Sequence, residues 1–490
     1  MNLKAILNVQ GHLLLMLAVV LVFPAGLALY YQESPLAGDL SSTAGFLITA
    51  MLSGAGGYLL KKYLPIGFES FRGREGFVIV ALSWILIPLF GALPFYLTGV
   101  CDSFTDAFFE SMSGFTTTGA TIFSDLSNLS HSLLFWRNLT QWLGGMGIIM
   151  LILAVFPELG IGSFHLFKAE VPGGTTVERI QPRLAETAKI LWKTYVILTV
   201  AETLFLYMGG MSLFDAVCHS FSTVSTGGFS PYNENLAHFE SWYLHGVVVL
   251  FMFLSGMNFT LHYHLFHGEV RSVLKNPELR VYTSTLAFCV GLSTLWLWDH
   301  TTGVPLLVLL EQSLFTVLSI NTTTGFTTVD YNLWPVPLKF LLVVLMMVGG
   351  CSGSTSGGIK SIRLIILFKI IHRELARLIH PRAVIHVHVG GKPVGADHLL
   401  NAVALTTLFA TFASLSFLLM MFLGVEPETA GSATFATLSV SGPGLAEVGP
   451  SGNYAHIPLA GKWVLIANML LGRLEMFSVI LLFLPMTWRK

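Results

Sequence analysis

Apolar runs of about the length needed to cross a bilayer as a helix alternate along this chain with short polar connections. Two such runs, over about 10–31 and 43–60, predict an opening pair of helices. The pattern then changes and repeats four times, over about 75–157, 185–268, 280–378 and 395–488. In each repeat a long apolar run is followed by a shorter apolar segment, a hydroxyl-and-glycine tract and a second long run. The tracts are Thr116-Thr117-Thr118-Gly119, Ser225-Thr226-Gly227-Gly228, Thr322-Thr323-Thr324-Gly325 and Ser441-Gly442-Pro443-Gly444. Aligned on the last glycine, each has a hydroxyl residue three positions earlier and an apolar residue directly after it. A unit reused at a fixed period is one structural module repeated, and four modules can surround an axis. The fourth tract is the most divergent, with Pro443 in place of threonine and Gly442 adding freedom.

The segment between the two long runs of a repeat exceeds a turn and is too short to form a domain. That length and polarity predict a re-entrant loop, which a membrane tolerates only where protein or water surrounds the backbone. The expected fold class is therefore an all-α polytopic membrane protein. Four tandem helix–pore-loop–helix repeats stand in a pseudo-fourfold arrangement, with two additional N-terminal transmembrane helices. The corresponding boundaries are 1–66 for the helix pair, then 67–160, 161–272, 273–392 and 393–490 for the repeats. Lys4 precedes a first run that continues through Ala28. It has full span length and no small-residue cleavage pattern after it, so it is expected to be a retained helix rather than a signal peptide.

Composition agrees with a membrane protein: 53% of the 490 residues are hydrophobic and 11% charged, against about a quarter charged in ordinary soluble domains. A net charge of −1 argues against a nucleic-acid surface. Four scattered cysteines show neither metal nor disulfide spacing. Lysine and arginine collect in one set of connections: Lys61, Lys62, Arg72 and Arg74; Lys168, Arg179, Arg183 and Lys189; Arg271, Lys275 and Arg280; and the long run 360–392. The tract-bearing connections carry Asp102, Asp106, Glu110, Asp125, Asp215, Glu234, Asp330, Glu426 and Glu428 instead. By the positive-inside rule the tracts face outward and both termini lie in the cytoplasm. Arg137 and Lys339 fall near outer helix ends, where they are expected to snorkel.

Glycine and hydroxyl residues suit a cation filter for a physical reason. A dehydrated monovalent cation needs several oxygens at fixed distance, and backbone carbonyls supply them without a countercharge. Carbonyls converge on an axis only where unusual backbone angles are cheap, as at glycine. The shorter helix before each tract would aim its negative C-terminal end at the cation. Close helix packing also selects such residues, but four tracts in register on one face exceed that requirement.

The phrases GFTTTGAT (114–121), STVSTGGF (222–229) and NTTTGFTT (321–328) resemble the pore loops of the Trk/Ktr/HKT superfamily of potassium transporters. With the N-terminal helix pair and the segment Gly349–Gly358, the chain looks like the bacterial TrkH/TrkG-type membrane subunits over essentially its whole length. The resemblance implies K+ as the transported ion, since glycine in all four loops, including Gly119, goes with potassium and serine in the first loop with sodium. Channel-like transport and proton symport are both compatible with it. It further implies the bacterial cytoplasmic membrane, a homodimer, and control by a cytoplasmic TrkA-like nucleotide-binding ring. The basic stretch 360–392 would offer that ring a docking surface. No organic cofactor is expected in the chain.

The second helix of repeat three is interrupted by Gly349-Gly350-Cys351-Ser352-Gly353-Ser354-Thr355-Ser356-Gly357-Gly358. A decapeptide this small and polar cannot face lipid. It fails the phosphate-loop pattern, and close packing alone is one alternative. An intramembrane gating loop beneath the filter is the preferred reading, which the resemblance also implies. Arg473 lies in the last span, where a charge is expensive and marks a functional position. It could pair with Glu475; the similar arginine in TrkH-like proteins faces the pore, where it would repel cations or anchor the loop. Lys360 could help hold the loop or snorkel. Two other functions compete: an intramembrane serine protease using Ser352 in Gly350-Cys351-Ser352-Gly353, or a transporter of another solute or metal.

Overall fold

The computed structural model describes residues 2–33, 40–64, 73–147 and 184–488. Expectations for Arg72, Lys168, Arg179 and Arg183, and for the first repeat beyond residue 147, lie outside the described residues. Among those residues the chain is helical apart from one small antiparallel hairpin, in which His388 faces Pro393 and Val389 faces Lys392.

The opening pair comprises Leu3–Tyr30, capped by the Asn2 side chain, and Ser42–Tyr63, capped by Ser41. Their backbones approach closely at two glycines: a Cβ on Gly57 would stand 2.6 Å from the Gly11 carbonyl oxygen. Close approach through small residues is how helices associate in lipid, where no hydrophobic force drives them together.

Each repeat begins with a long helix: Gly73–Gly91, Leu184–Met208, Pro277–His300 and Ala396–Phe422. Among the described residues, six helices are long and apolar enough to cross a membrane, or up to eight if two bent pairs count as spans. Phe288, Leu295 and Met208 leave large apolar side chains on the outer surface, as a lipid-facing wall requires.

The shorter pore helices are Phe104–Phe115, Leu213–Val224, Leu306–Asn321 and Pro427–Leu438. Ser103 and Ser212 cap the first two: each hydroxyl accepts from the amide of Asp106 or Asp215 at 3.1 Å. The same hydroxyls donate to those carboxylates at 2.9 and 2.7 Å. Asp106 and Asp215 thus take equivalent places in the first turn, where a carboxylate meets the positive helix end.

Inner helices follow: His131–Gly145, Trp242–Ser255, Val336–Val348 and Leu459–Arg473. Among the described residues, three of them break inside the bundle. The second turns by 103° into Phe259–Phe266 and the fourth by 120° into Phe477–Phe483. The third gives way to the glycine-serine loop and resumes at Ser361–Ile379.

Candidate ion pathway

Each tract starts at the C-cap of its pore helix: Thr116, Ser225, Thr322 and Ser439. The next residue in every tract is left-handed, with φ of 58° at Thr117, 57° at Thr226, 56° at Thr323 and 59° at Val440. Two positions later comes a left-handed glycine, with φ of 83° at Gly119, 80° at Gly228, 82° at Gly325 and 88° at Gly442. The residue between them closes the same turn each time. The Thr118, Gly227, Thr324 and Ser441 amides donate to Ser113, Ser222, Ser319 and Ala436 carbonyls at 2.7–2.9 Å.

This geometry corrects the fourth tract. Its register is Ser439-Val440-Ser441-Gly442, two residues earlier than the expected Ser441-Gly442-Pro443-Gly444. Gly-Pro-Gly offers two glycines for alignment, and only Gly442 has the required backbone; the Gly444 amide instead donates to the Val448 carbonyl at 2.7 Å. In the true register both hydroxyl positions are kept, and the divergence reduces to valine for threonine at position 440.

The four glycines form a closed cycle. A Cβ on Gly119 would collide with the Gly227 carbonyl oxygen, one on Gly228 with that of Thr324, one on Gly325 with that of Ser441, and one on Gly442 with that of Thr118. Tract one thus abuts two, two abuts three, three abuts four, and four returns to one. The carbonyls named are the third position of every tract, so four equivalent oxygens come from four equivalent places around one axis. In tracts one and three paired hydroxyls brace the loop, with Thr116 and Thr118 Oγ1 atoms 2.8 Å apart and the same separation between Thr322 and Thr324.

Outside the tracts each neighbouring pair of repeats is clasped. Asn233 Oδ1 accepts from the Leu126 amide at 2.7 Å, Asn235 Oδ1 from that of Thr327 at 3.4 Å, and Asn332 Oδ1 from that of Ala446 at 3.0 Å. The Tyr454 amide closes the circle by donating to the Thr121 carbonyl at 2.8 Å. Asp125, fully exposed at the rim, accepts from Ser127 and Asn233. These bonds hold its carboxyl down at about 2, so the rim keeps this negative charge throughout the ordinary pH range.

Arg137 does not snorkel. Only 1% exposed, it donates to Glu110, equally buried, at 2.8 Å and to the Ser230 carbonyl at 3.2 Å. Its guanidinium lies 4.2 Å from the centre of the Phe229 ring. Glu110 in turn accepts the Ile122 amide at 3.0 Å, so this one pair ties the chain after tract one to the chain after tract two. Arg137 lies about two turns into its helix, where Phe229 and Ser230 of the neighbouring repeat cover it. Removing one partner of a buried pair costs about 3–5 kcal/mol because the other charge is left unpaired. Arg137→Met is therefore expected to lower the thermal unfolding temperature of the purified protein strongly, and adding Glu110→Gln to recover part of the loss. Unchanged melting of the single variant would show the pair is dispensable. Lys462 makes a second outer pair with Asp106 at 2.6 Å, joining repeats four and one. Lys339 pairs with Glu428 at 3.2 Å.

The loop after Val348 reaches towards all four tracts. The Gly357 amide donates to Thr323 Oγ1 at 2.6 Å, and the Gly358 amide to the Ser439 carbonyl at 3.0 Å. Thr355 Oγ1 donates to the Val224 carbonyl, at the end of the second pore helix, at 3.1 Å. Arg473 supplies the fourth link, donating to Thr117 Oγ1 at 3.1 Å and to the Thr355 carbonyl at 3.0 Å. The same guanidinium reaches the Gly144 and Gly145 carbonyls at 2.5 and 2.8 Å. Lys360 is buried and donates to the Ser356 carbonyl, within the loop, and Glu475 pairs with Arg363. The far side of the loop is tied to the break in repeat two, where the Cys351 amide meets the Gly256 carbonyl at 2.9 Å and the Phe259 amide meets that of Gly353 at 3.0 Å. The Ser352 amide donates to Glu278 Oε1 at 2.6 Å. Gly349, Gly350 and Ser354 complete the loop: the Gly350 amide donates to Ser356 Oγ at 2.9 Å, and Ser354 Oγ donates to the Cys351 carbonyl at 2.6 Å.

Two cavities flank this assembly. One is lined by Gly119, Gly228, Gly325, Pro443 and the residues that follow the tracts. The other is lined by Trp84, Gly145, Thr355, Lys360 and Arg473. The tracts and the loop lie between them.

The model of the TrkH family, described as a cation transport protein family, matches residues 42–490. The chain is 40% identical to the Trk system potassium uptake protein TrkH of Salmonella typhimurium, over all of both chains. It is 34% identical to the Trk system potassium uptake protein TrkG of Escherichia coli, covering 100% of this chain and 99% of that one. The crystal structure of the potassium transporter TrkH from Vibrio parahaemolyticus superimposes with a TM-score of 0.87 at 37% identity, covering 100% of each chain. These relatives are transporters and not enzymes, which sets the protease reading of Ser352 aside. A multi-pass helical chain with four equivalent tracts about one axis, matched end to end by such relatives, belongs to the TrkH family of cation transport proteins.

Proposed function

We propose that this chain takes up potassium through a filter made by Thr116–Gly119, Ser225–Gly228, Thr322–Gly325 and Ser439–Gly442. The observation that carries this reading is the closed cycle of glycine-to-carbonyl contacts, which brings four equivalent oxygens to one axis. Potassium is the ion named for the relatives at 34–40% identity. Loop 349–358 and Arg473 form the gate beneath the filter. The guanidinium works in two ways: it anchors the loop carbonyl of Thr355, and its charge repels a cation descending from the filter. The protein works as a homodimer in the bacterial cytoplasmic membrane, with its termini and the basic stretch 360–392 on the cytoplasmic side. There a TrkA-like nucleotide-binding ring controls the loop.

Growth on limiting potassium and rubidium influx in a cell lacking its own potassium uptake systems test this reading. Expression of the chain is expected to restore growth and to give influx that excess sodium does not suppress. Failure of both, with the protein present in the membrane, would overturn it.

A further inference from the structure

Three of the four tracts carry a hydroxyl side chain at the third position: Thr118, Thr324 and Ser441. Tract two has Gly227 there, and its backbone does not require glycine, since Gly227 is absent from the left-handed residues. The reason is steric and lies in another repeat. A Cβ on Gly227 would stand 2.8 Å from Gln141 Nε2, and closer still to that side chain's Cδ and Oε1. Gln141, on the inner helix of repeat one, is completely buried. Its Nε2 donates to the Gly227 carbonyl at 2.8 Å, and its Oε1 accepts from the Phe229 amide at 3.1 Å. The amide therefore grips tract two on both sides of Gly228, and the oxygen it holds is the one that abuts Gly119.

We infer that Gln141 is a specificity-determining residue, its side-chain amide replacing the side chain missing at Gly227 and fixing that tract's carbonyl in the ring. This rests on the filter reading proposed above. One ring oxygen thereby carries a permanent neutral donor. That donor both weakens the field the oxygen offers a cation and stops it from following a smaller ion inward. Met252 is the buried residue at the corresponding place on the next inner helix, where both helices run on to a glycine, Gly145 or Gly256, packed against the neighbouring tract. The polar grip is thus a property of repeat one and not a demand of the fold.

The test measures potassium and sodium influx side by side in transport-deficient cells, with melting of each purified variant. Gln141→Met keeps the volume and removes the donor. It is expected to reduce potassium-over-sodium discrimination by about fivefold, the factor carried by one neutral hydrogen bond, with a modest fall in melting because the buried Gly227 carbonyl and Phe229 amide lose their partner. Gly227→Thr alone is expected to lose uptake, because its side chain meets Gln141. The double variant Gln141→Ala/Gly227→Thr gives tract two the hydroxyl found in tracts one and three, and is expected to regain both uptake and discrimination. Wild-type discrimination in Gln141→Met would overturn the inference, as would a double variant no better than Gly227→Thr. If the unmodified chain itself fails to prefer potassium, the filter reading falls instead, and the two failures are distinct.

Discussion

Gly119→Ser is expected to abolish most of the preference for potassium and to reduce uptake at least about tenfold, a change of about 1.4 kcal/mol. Two costs add. A side chain at φ of 83° costs about 1–2 kcal/mol in the left-handed region. Its Cβ also runs into the Gly227 carbonyl, so one of the four oxygens has to leave its place. Both costs come from Cβ and neither from the hydroxyl. Gly119→Ala should therefore behave like Gly119→Ser in paired potassium and sodium influx measurements. Normal discrimination in both variants would remove Gly119 from the filter.

Arg473→Ala acts at the other end of the path. The variant loses donors to the Thr355, Gly144 and Gly145 carbonyls and to Thr117 Oγ1. A hydrogen bond to a charged group is worth about 1.5–3 kcal/mol, so losing the Thr355 contact alone should shift the loop towards release by about tenfold or more. Rubidium flux into proteoliposomes containing this chain and no regulatory subunit is expected to rise by that order. Arg473→Lys, which keeps the charge but cannot span four acceptors, should fall between. Flux equal to the unmodified protein in both would exclude Arg473 from the gate. Shortening the loop within residues 352–356 should open the path to a similar degree.

The parts of the fold that were readable in the sequence are those written in neighbouring residues. The three tracts ending in Gly119, Gly228 and Gly325 and the helix-breaking decapeptide are all local patterns. So was the cost of Arg473 within a span. The fourth tract misled because Gly442-Pro443-Gly444 holds two glycines, and sequence does not state which one is left-handed. The pairs were invisible for a different reason. Asp106 and Lys462 are 356 positions apart, and Gln141 meets Gly227 across 86. No periodicity links such residues, since only closure of the ring brings them together. Arg137 carried one usable signal: an arginine and a glutamate, Glu110, on consecutive helices of one repeat, both at apolar depth.

The return of tract four to tract one constrains the order in which the molecule can be completed. During synthesis the Thr118 carbonyl emerges some 320 residues before Gly442, the glycine that will abut it. Until repeat four arrives, the nascent bundle is an open crescent with an unpaired polar edge on each side, at Thr118 and at Gly325. Exposed backbone of this kind is poorly tolerated by lipid. The contacts of tract one with two and of two with three can form as each repeat arrives, but the ring of four oxygens closes only when repeat four docks against both edges at once. Damage to the last repeat would leave three correctly made tracts with no site between them.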